Sequence, residues 1–107
     1  MGLTEADAKA LVNEGVLSAD YDEHKEAIEF YDKALKIIET SETYLNKGIS
    51  LVELEKYDDA FSSYEKAIEV SPGYADAWYN KAELLKHKCQ DAEAETCFAK
   101  VKELEGE

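Results

Sequence analysis

The side chains that most often carry catalysis or bind metals are few in this sequence and lie far apart. His24 and His87 are its histidines, and Cys89 and Cys97 are its cysteines. No HExxH, CxxC, GxSxG or glycine-rich phosphate-binding pattern surrounds them. His87, Cys89 and Cys97 could together chelate zinc, but their spacing matches no structural zinc site. Cys97 is expected to pack as a small apolar residue, without a disulfide to Cys89. We therefore expect no enzyme activity, no metal and no cofactor.

Three asparagines offer a different chemistry, because they recur at a nearly constant interval. Asn13, Asn46 and Asn80 are spaced 33 and 34 residues apart. An amide side chain both donates and accepts hydrogen bonds, so such a column can bind the backbone of another polypeptide whatever its sequence. The alternative is that asparagine is only the habitual residue at this position of the repeat, for example one that bonds between neighbouring repeats of the same chain. Both interpretations need a fold that places the three residues in one row.

A repeat of small and bulky apolar residues predicts such a fold. The central unit contains Tyr44, Gly48, Leu51, Ala60, Tyr64, Ala67 and Val70. The same spacing gives Leu11, Gly15, Ala27, Tyr31, Ala34 and Ile37 upstream, and Trp78, Ala82, Leu85, Ala94, Phe98, Val101 and Leu104 downstream. A period of about 34 residues with two helices per unit is typical of a stacked helical repeat. Small residues such as Gly48 and Ala60 would let the two helices of a pair cross closely.

Local start and stop signals predict six helices and no strand. Thr4 with Asp7 resembles a capping box, Ser41 is the predicted N-cap of the third helix, and Pro72 ends the fourth. The predicted helices span residues 5–18, 24–38, 42–54, 57–70, 75–87 and 91–104. The predicted fold class is all-α, an α-solenoid of three antiparallel helix pairs in a single domain.

The repeating unit resembles the tetratricopeptide repeat (TPR), whose pattern is W-x2-L-G-x2-Y, then A-x3-F, then P. Trp78, Ala82, Leu85, Ala94 and Phe98 carry this pattern in the third unit, whereas Glu14, Lys47 and Lys81 stand where the family usually has leucine. The resemblance implies one TPR domain over residues 1–107, a superhelix without an extra C-terminal capping helix. Its repeats would be 8–40, 41–74 and 75–107, after a lead-in of residues 1–7.

In TPR arrays the first helix of each pair lines a concave groove, so the resemblance assigns a peptide-binding groove by position. The implied groove residues are Lys9, Val12, Asn13, Val16, Glu42, Leu45, Asn46, Ile49, Glu53, Asp76, Tyr79, Asn80, Glu83 and His87. Val12 and Val16 lie one helical turn apart, off the face that carries Gly15, as do Leu45 and Ile49 relative to Gly48. We expect a protein partner that inserts an apolar, and by charge a basic, segment.

One specific family role is disfavoured by the residues themselves. TPR domains that bind the C-terminal carboxylate tail of chaperones use a clamp of Lys, Asn, Asn, Lys and Arg. The corresponding positions here hold Val12, Val16, Asn46, Asp76 and Asn80, so only Asn46 matches. Because Asp76 has the wrong sign for an anionic ligand, we predict no binding to such tails.

The charge balance limits the partners further. Twelve Lys and Arg residues face 25 Asp and Glu residues, for a net charge of −13. Nucleic acid and anionic membranes favour a basic surface, so neither is expected as a partner. The acidic balance favours a basic partner or simply high solubility. No apolar run has the length of a membrane span and no signal peptide is recognisable, so a cytoplasmic location is expected.

The last helix supports a second hypothesis. Without a capping helix after it, Phe98, Val101 and Leu104 are expected to be partly exposed, which would suit a self-associating surface, a fragment of a larger protein or a locally adapted end. The leading hypothesis is a non-catalytic protein–protein interaction scaffold that binds an extended or helical segment in its groove. The alternative is a self-assembling structural repeat protein, such as a homodimer, or a fragment of a larger TPR protein, associating through its uncapped C-terminal helix.

Overall fold

Six α-helices joined by short turns make up residues 2–106, the part of the chain that the computed structural model describes. They are α1 (Glu5–Asp20), α2 (His24–Ile37), α3 (Ser41–Glu53), α4 (Tyr57–Val70), α5 (Ala75–His87) and α6 (Asp91–Leu104). No strand occurs in this range. The all-α prediction is confirmed, and the bounds of α4, α5 and α6 are those predicted.

The helix starts follow local capping chemistry. Thr4 Oγ1 accepts a hydrogen bond from the Asp7 amide at 3.3 Å, and Asp7 Oδ2 accepts one from the Thr4 amide at 2.7 Å, so the capping box is confirmed. The prediction for α3 is wrong by one residue. Thr40, rather than Ser41, caps this helix, because its hydroxyl accepts a hydrogen bond from the Thr43 amide. At its far end α1 continues two residues beyond the predicted end.

The turn inside each helix pair contains a residue in the left-handed region of backbone conformation. These residues are Asp22, Glu55 and Cys89, with φ of 62°, 59° and 62°. Each follows the first helix of its pair, where glycine is the usual residue. Because none of the three is a glycine, residue type alone did not indicate this conformation. The equivalent spacing shows that the three pairs reverse direction in the same way.

The helices form two layers with different internal packing. The first helices of the pairs, α1, α3 and α5, contact one another in order, and we call this layer the inner face. Within residues 2–106 no Cα atom of one second helix (α2, α4 or α6) lies within 8 Å of a Cα atom of another. A cleft of about 490 Å³ separates α2 from α4. The array therefore curves around the inner face, with extents of 47 × 28 × 19 Å.

Tyrosine rings fill the centre of the first two pairs. Tyr31 and Tyr64 are each 2% exposed. A Cβ atom added at Gly15 would lie 2.8 Å from Tyr31 Cδ1, and one added at Gly48 would lie 2.7 Å from Tyr64 Cδ1. The glycine thus makes room for an aromatic ring of the partner helix. The predicted need for a small residue where the two helices cross thus comes from this ring.

Ion pairs join successive helix pairs. Lys47 Nζ of α3 lies 2.7 Å from Asp32 Oδ1 of α2, and Lys81 Nζ of α5 lies 3.3 Å from Glu65 Oε2 of α4. These lysines occupy the positions where the TPR pattern has leucine. A long side chain with a charged end reaches the preceding pair from there, which explains the departure from the pattern.

The connection between α4 and α5 is held by the indole of Trp78. Its Nε1–H donates a hydrogen bond of 2.8 Å to the carbonyl oxygen of Pro72. The ammonium groups of Lys81 and Lys100 lie 5.6 and 5.9 Å from the centre of the ring. This arrangement fixes the third helix pair against the end of the second.

Candidate functional site

The residues that the sequence assigned to a groove all lie on the helices of the inner face. Their accessibility differs widely. Exposed side chains are Lys9, Asn13, Val16, Glu42, Ile49, Glu53, Asp76, Tyr79, Glu83 and His87; half-buried ones are Val12, Asn46 and Asn80; Leu45 is buried. Most of the set is therefore available to solvent.

Leu45 was wrongly expected to be accessible. It is 6% exposed and belongs to a core cluster with Leu51, Tyr64 and Leu84. Its helix, α3, is the middle one of the inner face, and the residues of α4 and α5 in this cluster cover Leu45. The equivalent Tyr79 lies on the end helix α5, which has a neighbour on one side, and is 48% exposed.

A first cleft, of about 510 Å³, lies between the N-terminal halves of α1 and α3. It brings together four of the predicted residues, Lys9, Val12, Asn13 and Glu42. Its floor includes Ile38, which the sequence analysis placed at the end of the second helix and did not assign to the groove, because the resemblance assigned only first helices. The cleft combines an apolar floor with charged and amide groups at its rim.

A second cleft, of about 190 Å³, lies where the C-terminal ends of α3 and α5 meet α4. Asn80, Glu83 and His87 line it, as predicted residues, together with Val52 and Tyr57. The rings of His87 and Tyr57 lie 4.8 Å apart, which holds the imidazole against α4. Tyr57 was missed because it is the first residue of a second helix, whereas the resemblance assigned only first helices to the groove.

A third cleft, of about 430 Å³, lies between α5 and α6 at the C-terminal end of the array. Asp76 and Tyr79 of the predicted groove share it with Phe98 and Val101, which were expected to form a separate self-associating surface. The rings of Tyr79 and Phe98 meet edge to face at 5.7 Å. Val101 is only 8% exposed, because α5 and the aromatic rings cover it, so the expected exposure is wrong for this residue. Leu104 is half-buried.

The asparagine column is only partly free to bind a ligand. Asn80 Nδ2 donates a hydrogen bond of 2.8 Å to the Asp76 carbonyl oxygen one turn earlier in α5. Its side-chain oxygen remains available as an acceptor. Among the described residues, no asparagine of the column bonds to a neighbouring repeat. The alternative of inter-repeat bonding by Asn13, Asn46 and Asn80 is thus not what the structure contains.

Negative charge dominates the inner face. Among the predicted groove residues, the exposed carboxylates are Glu42, Glu53, Asp76 and Glu83, against the ammonium group of Lys9. Burial raises the pKa of Tyr74, and the carboxylates of Asp76 and Glu42 raise it further. Two helices therefore direct acidic groups toward one point of this surface. A cationic group would be attracted there.

The cysteines and histidines are dispersed in space as well as in sequence. Cys89 is exposed in the turn before α6, whereas Cys97 is buried beside Ala82 and Leu85, where burial raises the pKa of its thiol. This confirms the predicted packing of Cys97. Within residues 2–106 no group of three or more His, Cys, Asp or Glu side chains is placed to hold a metal ion. In the same range, none of the helices combines the length and the apolar composition needed to cross a bilayer.

Comparison with known proteins agrees with this architecture. Two tetratricopeptide repeat family models match the sequence, one at residues 51–106 and the other at residues 8–40. The chain therefore belongs to the tetratricopeptide repeat family. A search of curated proteins gave no match.

Solved structures of the same fold include several proteins of low sequence identity. The first TPR of Spaghetti (RPAP3) bound to HSP90 peptide SRMEEVD is 21% identical, with a TM-score of 0.92 over 97% of this chain and 85% of that one. The Sgt2 TPR domain from Aspergillus fumigatus is 24% identical, with a TM-score of 0.88 over 94% and 67%. MamA is 20% identical, with a TM-score of 0.86 over 92% of this chain. The chain spans 58% of the length of that MamA chain.

Proposed function

We propose that this chain is a non-catalytic protein-interaction module that binds an extended or helical peptide segment along its inner face. The observation that carries the proposal is an accessible apolar side chain on each of the three inner helices. Val16 of α1, Ile49 of α3 and Tyr79 of α5 are 38%, 39% and 48% exposed. Apolar groups presented in this way are those that a bound segment covers.

The charge of the inner face selects the chemistry of the segment. Glu42 and Glu53 of α3 and Asp76 and Glu83 of α5 lie on the helices that carry Ile49 and Tyr79, and they favour a segment that carries Lys or Arg beside apolar residues. The amides of Asn13 and Asn46 can bond to its backbone. A peptide with cationic and apolar residues is therefore the preferred partner over nucleic acid or an anionic membrane.

The prediction that chaperone tails do not bind depends on side chains alone. The related Spaghetti domain is bound to the peptide SRMEEVD, so the shared fold does not by itself exclude such a ligand. In this chain Asp76 replaces a clamp lysine, while Val12 and Val16 replace two other polar positions. A peptide ending in acidic residues would meet like charge at Asp76.

The repeat boundaries are part of the same proposal. The connections between helix pairs fall at residues 38–40 and 71–74. They support repeats at 8–40, 41–74 and 75–107, each supplying one inner helix to the binding surface. A cytoplasmic location stays a prediction.

A fluorescence-anisotropy titration with a labelled peptide of alternating Leu and Lys residues tests this proposal. Saturable binding is expected, and Asn46→Ala with Ile49→Ser should weaken it at least tenfold, since burying one isoleucine is worth about 2 kcal/mol. Val70→Ser is the matched control, because Val70 is similarly exposed but lies on α4. The same peptide with Glu in place of Lys should not bind.

Two outcomes would contradict the reasoning. Equal loss of affinity in the Val70→Ser control would show that the peptide does not use the inner face. Micromolar binding of the SRMEEVD peptide would overturn the charge argument based on Asp76. Far-UV circular dichroism of each variant confirms that the helices are retained.

A further inference from the structure

The two internal junctions of the array are built from the same positions. At the first junction, α3 buries Thr43 and Ser50 against the preceding helix pair, and Lys47 pairs with Asp32. The hydroxyl of Ser50 lies 3.2 Å from Nδ1 of His24, at the start of α2. Thr43, Lys47 and Ser50 thus form the side of this junction that α3 contributes.

The second junction repeats the pattern 34 residues later. On α5, Ala77 and Leu84 are buried at the positions of Thr43 and Ser50, and Lys81 pairs with Glu65. The acidic partner lies on the second helix of the preceding pair in both cases. One rule therefore describes how an incoming pair docks on the pair before it.

The outer side of α1 carries the incoming surface of this rule, but nothing covers it among the described residues. Ala10, Glu14 and Leu17 lie 33 residues before Thr43, Lys47 and Ser50. All three are exposed, and Leu17 is 52% exposed although its counterparts are buried. Tyr21 follows the last turn of α1, four residues after Leu17, and its exposed ring enlarges the apolar area on this side of the helix. We call Ala10, Glu14, Leu17 and Tyr21 the head surface.

The C-terminal end of the array carries the receiving surface. The third cleft is lined by Tyr79, Phe98 and Val101. It corresponds by repeat position to the first cleft, where α3 packs against the first helix pair. Ala99 lies 34 residues after Glu65, so the acidic partner of the internal junctions is an exposed alanine here. Lys102 lines the cleft beside it. We call the third cleft together with Ala99 the tail surface.

The two end surfaces depart from the internal rule in a matched way. The head surface has Glu14 where internal junctions have lysine, and the tail surface has Ala99 where they have an acid. An acidic residue at position 99, equivalent to Asp32 and Glu65 of the internal junctions, would repel Glu14 of the incoming copy. Ala99 removes this repulsion, and the ammonium group of Lys102 attracts the carboxylate of Glu14. We propose that the head surface of one copy docks on the tail surface of a second copy, continuing the helical stack from molecule to molecule.

This contact is heterologous, so each copy keeps a free head surface or a free tail surface to which a further copy can add. The net charge of −13 per copy opposes it at long range. Added salt screens that repulsion while leaving the apolar contact intact, so association should strengthen as the salt concentration rises. The proposal concerns the ends of the array and does not depend on peptide binding at the inner face.

Sedimentation velocity of the 107-residue chain in 0.5 M NaCl, over a hundredfold range of concentration, tests the proposal. The sedimentation coefficient should rise with concentration for the wild type and for Val70→Glu, which changes an exposed apolar residue away from both ends. Leu17→Glu and Ala99→Glu should each weaken association at least tenfold. Both positions are exposed, so the fold should be kept, and far-UV circular dichroism checks this.

A mixing experiment fixes the orientation of the contact. Combining the Glu14→Lys chain with the Ala99→Glu chain places a lysine opposite an acid, as at the internal junctions. The mixture should associate more tightly than the Ala99→Glu chain alone. If neither Leu17→Glu nor Glu14→Lys changed the strength of association, the contact would be a symmetric one between tail surfaces, and the proposal would be overturned. A monomer at every concentration would overturn it as well, while leaving peptide binding untouched.

Discussion

Replacing Gly48 by alanine is expected to destabilise the protein, although alanine is the better helix former. In the middle of a helix the exchange by itself gains about 1 kcal/mol. At this position the added methyl group would lie 2.7 Å from Cδ1 of Tyr64. The ring is 2% exposed and cannot move toward solvent. Overpacking of this kind costs about 1–3 kcal/mol. Because the contact is close and the ring enclosed, we expect the upper part of that range and a net loss of about 1–2 kcal/mol.

Urea unfolding followed by far-UV circular dichroism measures this loss. With a slope near 2 kcal/mol per molar urea, the midpoint should fall by roughly 0.5–1 M. Gly73→Ala is the control, because no atom lies within 4 Å of a Cβ added there, and its midpoint should hardly change.

The sign of the effect decides the interpretation. If Gly48→Ala raises the midpoint, helix propensity dominates and the ring does not fill the space beside Gly48. Making the same exchange in a second variant separates the packing effect from the effect of helix propensity. In a Tyr64→Leu protein, which lacks the ring, the same Gly48→Ala exchange should stabilise.

Two further predictions use backbone conformation and ionisation. Glu55→Gly should stabilise by about 1 kcal/mol, since the left-handed conformation at φ 59° strains a residue with a Cβ, whereas Glu29→Gly at an exposed position inside α2 should cost a similar amount; equal urea midpoints for the two variants would contradict this. Burial raises the pKa of Tyr64 to about 12, with a smaller contribution from Glu53. Its neutral form is therefore favoured in the folded state, so its contribution to stability is complete below pH 10 and falls by about 1.4 kcal/mol per pH unit from there to pH 12. Tyr64→Phe, which copies Phe98 of the third repeat, should lose less stability between pH 9 and 11 than the wild type; an unchanged loss would refute the assignment.

Local signals predicted the helices well because they act within a few residues. The capping box of Thr4 and Asp7 and the helix stop at Pro72 depend only on neighbouring backbone groups. The left-handed turns could not be found in the same way, because Glu55 and Cys89 have no conformational preference for them. Alignment of the three units places Asp22, Glu55 and Cys89 at equivalent positions, and this was the one available signal.

The candidate site was harder to predict than the fold because accessibility depends on neighbouring helices. Spacing along α3 predicted that Leu45 and Ile49 both lie off the face of Gly48, but Leu45 packs in the core cluster with Tyr64, the ring that Gly48 contacts. The spacing did not reveal that residues of α4 and α5 cover Leu45 while Ile49 stays exposed. The family pattern likewise explained which helices form the inner face, but it did not assign Tyr57 to a cleft, because that residue lies on the outer layer.

The hydrogen bond between Trp78 and Pro72 makes intrinsic fluorescence a local probe of this molecule. Trp78 is the only tryptophan, and it reports on the contact between α4 and α5. A repeat array can lose its end units before its centre. Emission from this indole will therefore follow the detachment of the third hairpin, whereas ellipticity averages over all six helices. A gap between the two melting curves would measure fraying from the C-terminal side directly.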